Sequence, residues 1–272
     1  MIPPVVDVAW YQQHREKVVV ADARWYLDGR SGRAAYEAGH LPRAVFVDLE
    51  RCLAAASSPE VGRHPLPDPA AFAQAMGAMG IGDDDTVLGY DDAGGVIAAR
   101  LVWMLRATGH DAALLDGGID AHDGPLERGT SPRPPASFTA RTWPADQLAD
   151  IDAAADPANL VLDARASDRY RGEHEPVDPR AGHIPGARNL PCQGNLASDG
   201  TFLPLEQLRR RFLDVGVTET TSVVSYCGSG VTACHNLLAL ELAGLGQGRL
   251  FPGSWSQYSH DAGRQIATGN RP

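Results

Sequence analysis

The chain has 272 residues, 43% apolar and 21% charged, a balance typical of globular folds and long enough for two domains. Its formal charge is −10 and Lys17 is its single lysine, so positive charge rests on dispersed arginines. That excludes a basic nucleic-acid-binding face but leaves room for a local arginine cluster that takes a small anion. No apolar run approaches the roughly 18 residues that span a bilayer, and MIPPVVDVAW lacks the basic-then-apolar start of a secretory signal, so the expectation is a cytoplasmic protein without membrane contact.

Taken in chain order, the sequence repeats itself. VVVADARWYL, from Val18, returns as LVLDARASDRY from Leu160, pairing Asp22 with Asp163. AGHLPRAVFVDL, from Ala38, returns as AGHIPGARNLP from Ala181, pairing His40 with His183. GIGDDDTVLGY, from Gly80, aligns without a gap on GVTETTSVVSY from Gly216, and LLDGG from Leu114 aligns on LFPGS from Leu250. Such ordered matches at nearly constant spacing make the chain two copies of one domain. The spacing is far too long for a solenoid, so each copy needs its own core. Between the copies, ERGTSPRPPASFTARTWPA is rich in Pro, Ser and Thr and reads as an extended linker. The boundary is expected near Pro134, giving a first domain over 1–133 and a second over 134–272.

In the second copy, apolar runs predict strands at Leu160–Asp163, Ala187–Leu190, Ser222–Tyr226 and Arg249–Phe251. Apolar Leu205, Leu208, Phe212 and Val215 fall on one helical face and predict a helix over Leu205–Val215; a second is predicted over Val231–Leu242. Strands alternating with helices imply an α/β fold, a mostly parallel sheet with helices on both faces. Ligands bind such sheets where strands end and helices begin, and the Ser222–Tyr226 strand ends at Cys227.

The loop Cys227, Gly228, Ser229, Gly230, Val231, Thr232 has two glycines that permit unusual backbone angles. Amides converging in such a turn, with a helix N-terminus behind them, make a concave anion site. That environment favours the thiolate of Cys227, which is the nucleophilic form, and the same amides suit the terminal sulfur of a persulfide. In the first copy Asp91 stands where Cys227 stands; a carboxylate can cap the helix there but cannot carry sulfur. The other three cysteines, Cys52, Cys192 and Cys234, show no CxxC pair and no zinc-type spacing to histidine, so neither a disulfide framework nor a metal site is expected. Cys234 reads as core rather than as a resolving thiol. No phosphate-binding or dinucleotide fingerprint occurs, and no cofactor is expected.

The tandem layout, the DAR and GHIPG motifs and above all CGSGVTA resemble the two-domain rhodanese family of sulfurtransferases, nearest its 3-mercaptopyruvate branch. The resemblance implies two tandem rhodanese-like domains, the first non-catalytic and the second catalytic. It implies that Cys227 takes sulfur from 3-mercaptopyruvate as a persulfide and passes it to cyanide or a thiol, such as a thioredoxin-like reductant. It further implies substrate binding by Arg169 and, at the less well matched position, Arg180, with Ser229 and His40 assisting catalysis. Histidine suits proton handling near neutrality. His40 also has a bland reading, because His183 recurs in the other copy: it fixes the turn before the next strand. Asp163 and Arg165 recur as Asp22 and Arg24 and read as a structural ion pair. Thiosulfate:cyanide sulfurtransfer is the enzymatic alternative, although thiosulfate-preferring relatives usually carry basic residues where this chain has Gly228 and Ser229. A non-catalytic sulfur carrier or sensor is the other. A cysteine phosphatase is disfavoured, because Ala233 stands where its loop arginine belongs.

Overall fold

The computed structural model describes residues 2–272 and divides into two compact units. Unit 1 runs to Ala55, resumes over Pro67–Trp143 and includes Ser198–Phe202; unit 2 holds Ala56–Leu66, Pro144–Ala197 and Leu203–Pro272. Each unit therefore contains a short stretch from the other half of the sequence. For the site, the stretch 56–66 is the one that matters.

In unit 1 the elements are β1 (Val5–Val6), α1 (Val8–His14), β2 (Val18–Asp22), α2 (Gly32–Ala38), β3 (Val45–Phe46), α3 (Leu49–Cys52), α4 (Pro69–Ala78), β4 (Thr86–Tyr90), α5 (Ala99–Ala107) and β5 (Ala112–Leu115). The strands form one parallel sheet in the order β1-β5-β4-β2-β3. Every residue of β2 is buried, as a sheet covered on both faces requires. Residues 134–143, read from the sequence as the start of the second half, group with unit 1. The reason is apolar: Phe138 and Trp143 pack on Phe72 of α4 with ring centroids 5.7 and 5.3 Å away, and Trp143 Nε1 donates to Pro67 O at 2.8 Å.

Unit 2 has β6 (Leu160–Asp163), α6 (Ser167–Arg171), β7 (Arg188–Asn189), α7 (Leu205–Asp214), β8 (Val223–Tyr226), α8 (Ala233–Leu242), β9 (Arg249–Leu250) and α9 (Ser254–Tyr258). Its parallel sheet runs β7-β6-β8-β9, and a parallel bridge from Leu148 to Leu250 stands where β1 pairs in unit 1. Helix α8 is buried from Ala233 to Leu240, with the polar His235 and Asn236 inside that otherwise apolar run. The expected strands and helices of this half are all present, each within two residues of its expected ends.

The repeated motifs build the same lock twice. Arg24 Nη2 donates to Asp22 Oδ2 at 2.6 Å and to Gly39 O at 2.7 Å; Arg165 Nη2 meets Asp163 Oδ2 at 2.6 Å and Gly182 O at 2.7 Å. Tyr90 and Tyr226, at the ends of β4 and β8, accept from the amides of Leu41 and Ile184. Burial together with the neighbouring Asp163 keeps the Tyr226 phenol protonated far above its ordinary range. Each lock ties the C-terminal end of a central strand to the loop before the neighbouring strand, and so holds the two loops that begin there.

Candidate active site

Strand β8 delivers the chain into the loop Cys227–Thr232, and α8 begins at Ala233. The loop is pinned from the side by the segment around α9. Cys227 N–H donates to Ser254 Oγ at 3.1 Å, Cys227 O accepts from Trp255 N at 3.0 Å, and Gly228 O accepts from Ser256 N at 2.9 Å. Ser254 holds this position at φ +53°, a left-handed conformation costly for serine, with its hydroxyl donating to Phe251 O. Within the loop, Gly230 adopts φ +76°, and a Cβ there would lie 2.5 Å from Pro252 O; glycine is required on both counts. The product of this geometry is a hydrogen bond from Gly230 N–H to Cys227 Sγ at 3.1 Å, with Cys227 only 2% exposed.

Segment 56–66 brings two further side chains. A turn from Ser58 to Gly62 docks on α9: Gly62, at φ +87°, sits so close that a Cβ would be 2.5 Å from Gly253 O. Gln257 Nε2 donates to Glu60 O at 2.6 Å, and Arg63 N–H donates to Ser256 Oγ at 3.0 Å. His64 then shares a hydrogen bond with Ser229, Nδ1 to Oγ 2.8 Å, and both residues are buried. The guanidinium of Arg63 pairs with Asp178.

Arg169, from α6, donates through Nη2 to Glu175 at 2.6 Å and to Asp178 at 3.3 Å. Glu175 in turn accepts from Arg165 at 3.3 Å, so three arginines and the carboxylates of Asp163, Glu175 and Asp178 form one connected cluster beside the loop. Burial pushes the Asp178 carboxyl above its ordinary range, against the pull of Arg63 and Arg169. Cys192, also in unit 2, has its thiol pushed up to about 12 by burial, with the nearby Cys227 adding to the shift; it stays a thiol. Cys234 is fully buried, its Sγ donating to Gly230 O at 3.4 Å.

Of the residues the sequence pointed to, the structure gathers Cys227, Gly228, Ser229, Gly230, Val231, Thr232 and Arg169 at this loop. It places His40 and Arg180 otherwise. His40 lies in unit 1, fully buried and stacked on Tyr36, with Nδ1 bonded to Tyr36 O at 2.9 Å and Nε2 to Ser131 Oγ at 3.0 Å. His183 does the same in unit 2, stacked on Tyr170 and bonded to its carbonyl. Both ring nitrogens of His40 are engaged within its own unit, which suits the reading that it fixes its turn, and the histidine bonded to Ser229 is His64. Arg180 is likewise engaged with partners of its own. Its guanidinium is consumed by the carbonyls of Ser259 (2.6 Å), Arg264 (3.0 Å), Tyr258 (3.1 Å) and Asp261, clamping the turn after α9 rather than facing the loop. His64 and Arg63 carry no signal of their own in the sequence, because GRHPLP lies where the two copies diverge, and only the fold of the 56–66 stretch brings it to the loop.

The matching position of unit 1 is plugged. Asp91 accepts from the amides of Ala93 (2.8 Å), Gly95 (2.7 Å), Ile97 (2.8 Å) and Ala98 (2.9 Å), filling the cradle with its own carboxylate.

A parallel sheet whose central strand ends in a cysteine cradled before a helix, doubled along the chain with one cradle plugged, defines the class. The rhodanese-like domain model matches residues 7–123 and again 144–261. The chain belongs to the rhodanese family, as a two-domain sulfurtransferase of the branch that includes the 3-mercaptopyruvate enzymes. It is 46% identical over 267 residues, 93% of each chain, to a Pseudomonas aeruginosa protein named "Probable 3-mercaptopyruvate sulfurtransferase". It is 35% identical over 258 residues to the thiosulfate sulfurtransferase of Bos taurus, covering 89% of this chain and 85% of that one. Among solved structures, the 3-mercaptopyruvate sulfurtransferase from Leishmania major superposes with a TM-score of 0.84 at 32% identity, over 94% of this chain and 74% of that one.

Proposed function

We propose that this enzyme moves sulfur from 3-mercaptopyruvate to a thiol acceptor through a persulfide on Cys227. The observation that carries this reading is the pairing of a nearly enclosed Cys227, whose Sγ accepts from Gly230 N–H, with the Ser229–His64 hydrogen bond in the same loop. The Cys227 thiolate attacks the donor's sulfur. The carbon–sulfur bond breaks, its electron pair passes to the carbon as the enolate of pyruvate, and that carbon takes a proton. Ser229 and His64 supply a proton path beside the nucleophile, and neutral-range histidine chemistry fits that task. Arg169 anchors the donor's carboxylate, a role suited to a planar guanidinium. A second thiolate, from a small thiol or a thioredoxin-like reductant, then takes the outer sulfur and leaves Cys227 free.

The test is intact-protein mass spectrometry after brief exposure to 3-mercaptopyruvate or to thiosulfate, with the adduct mapped. One added sulfur on Cys227, formed faster from 3-mercaptopyruvate and released with pyruvate, is expected; Cys227→Ser should form none while keeping its fold. Faster loading from thiosulfate would change the donor, and loading without steady-state turnover would make the protein a sulfur carrier.

A further inference from the structure

The sequence supplies one well-matched carboxylate anchor, Arg169, and the arginine expected to partner it, Arg180, is committed to backbone carbonyls elsewhere. The space over Gly228 shows what replaces it. A Cβ built on Gly228 would lie 2.9 Å from Arg63 Nη2 and 3.5 Å from Arg169 Nη1. Two guanidinium groups, from segments more than a hundred residues apart in the chain, thus reach one point directly beside the nucleophile. Their other nitrogens are engaged on the same counter-ion: Arg63 through Nη1 and Arg169 through Nη2, both on Asp178. Neither Arg63 Nη2 nor Arg169 Nη1 makes a hydrogen bond to another of the described residues, and both face the Gly228 position.

We infer that Arg63 is a second donor-anchoring residue, which closes with Arg169 on the carboxylate of a small α-keto acid over Gly228. This rests on the sulfurtransferase reading above and specifies its donor subsite. Three features set the role apart from a tether for segment 56–66. The tether exists without the side chain, through Gly62, Glu60 O and Arg63 N–H on α9. The Arg63 side chain is 28% exposed and its Nη2 donors are unused, whereas a purely structural arginine such as Arg180 engages all three of its nitrogens. Finally, the two guanidiniums share one buried carboxylate on the far side, which fixes their separation and aims the opposite edges at a common acceptor, the geometry a bidentate carboxylate requires.

Charge bears on the kind of anion. Arg63, Arg165 and Arg169 are balanced by Asp163, Glu175 and Asp178, so the cluster is formally neutral before the donor arrives. A monocarboxylate adds one negative charge beside the Cys227 thiolate, and a dianion such as thiosulfate would add two. The subsite therefore favours the monocarboxylate. Glycine at 228 is part of the same design, because any side chain there would displace Arg63 Nη2.

The experiment compares Cys227 loading in wild type, Arg63→Ala and Arg63→Lys with two donors, 3-mercaptopyruvate and its neutral analogue mercaptoacetone. Arg63→Ala should raise the half-saturating concentration of 3-mercaptopyruvate about 10- to 100-fold with little change in the saturating rate, the signature of a lost binding interaction. With mercaptoacetone the substitution should make no difference, and Arg63→Lys should recover part of the loss. A structural role would penalise both donors alike; that outcome, or no penalty with either, overturns the inference. A second measurement does not need turnover: protection of Cys227 by pyruvate against iodoacetamide should weaken by a similar factor in Arg63→Ala, and equal protection would also overturn it. Absence of loading in wild type, with pyruvate protection present and Arg63-dependent, would sink the sulfurtransferase reading and leave the carboxylate clamp standing.

Discussion

Replacing Gly230 by alanine tests how the loop holds its nucleophile. Gly230 is at φ +76°, where an L-residue costs about 1–2 kcal/mol. Its new Cβ would meet Pro252 O at 2.5 Å and Pro252 Cα at 3.0 Å, both backbone, so the loop and the Pro252 segment must part by about 1 Å, at a further ~1–3 kcal/mol by the usual cost of overpacking. The expected loss of stability is therefore about 2–5 kcal/mol, readable as a lower urea midpoint in the fluorescence of buried Trp255, whose own amide donates to Cys227 O. The functional effect should be separable. The Gly230 N–H that donates to Sγ moves with the backbone, and a displacement of about 1 Å at a reacting group costs on the order of 10²-fold in rate. Single-turnover formation of the persulfide, measured well below the unfolding midpoint, should slow by that factor. A loading rate within about threefold of wild type, with the midpoint shifted as expected, would show that the Gly230 amide does not position the sulfur. An unchanged midpoint would refute the packing argument itself.

Arg180→Ala should behave in the opposite way. Its guanidinium holds four carbonyls around the turn after α9, and without it stability should fall by about 2–3 kcal/mol while the donor dependence of loading stays within about twofold of wild type. A donor-specific rise comparable to that expected for Arg63→Ala would restore Arg180 to the subsite. Asp83 gives a pH prediction. Hydrogen bonds from Thr139 Oγ1 (2.7 Å) and Thr139 N–H (2.8 Å), with His110 adding to them, hold its carboxyl down at about 2. A carboxyl lowered in the folded state stabilises fully above its unfolded value near ~3.9 and loses that contribution as pH falls through the folded value. Amide-exchange protection of residues 137–139 should therefore drop between about pH 4 and pH 2 in wild type and show no such step in Asp83→Asn; identical profiles would refute it.

The period of the repeat, the strand and helix positions of the second half and the loop that holds Cys227 were legible in the sequence because each has a local cause. Continuous apolar runs mark buried parallel strands, and Cys227 follows one directly ahead of a glycine-rich turn. The repeat also warned that motifs shared by both copies serve the fold, and the Asp22–Arg24 and Asp163–Arg165 locks bear this out. His40 follows the same pattern: its ring completes a turn that His183 completes equally well. What could not be read was any residue placed by a non-local excursion. Arg63 and His64 reach the loop because Gly62 permits a turn flush against Gly253, a packing fact with no sequence periodicity behind it. Arg180, only eleven residues from Arg169, points elsewhere because the carbonyls after α9 satisfy it.

The two cradles differ in what fills them. In unit 1 four amides converge on the Asp91 carboxylate; in unit 2 the matching turn directs an amide at a sulfur atom. Burial pushes the Asp91 carboxyl above its ordinary range against the pull of the four N–H donors, which satisfy it within the loop. Cys227 Sγ accepts from the Gly230 amide alone among these loop donors, where the Asp91 carboxylate accepts from four. The surroundings of the loop differ as well: unit 2 brings Arg63 and His64 to Gly228 and Ser229.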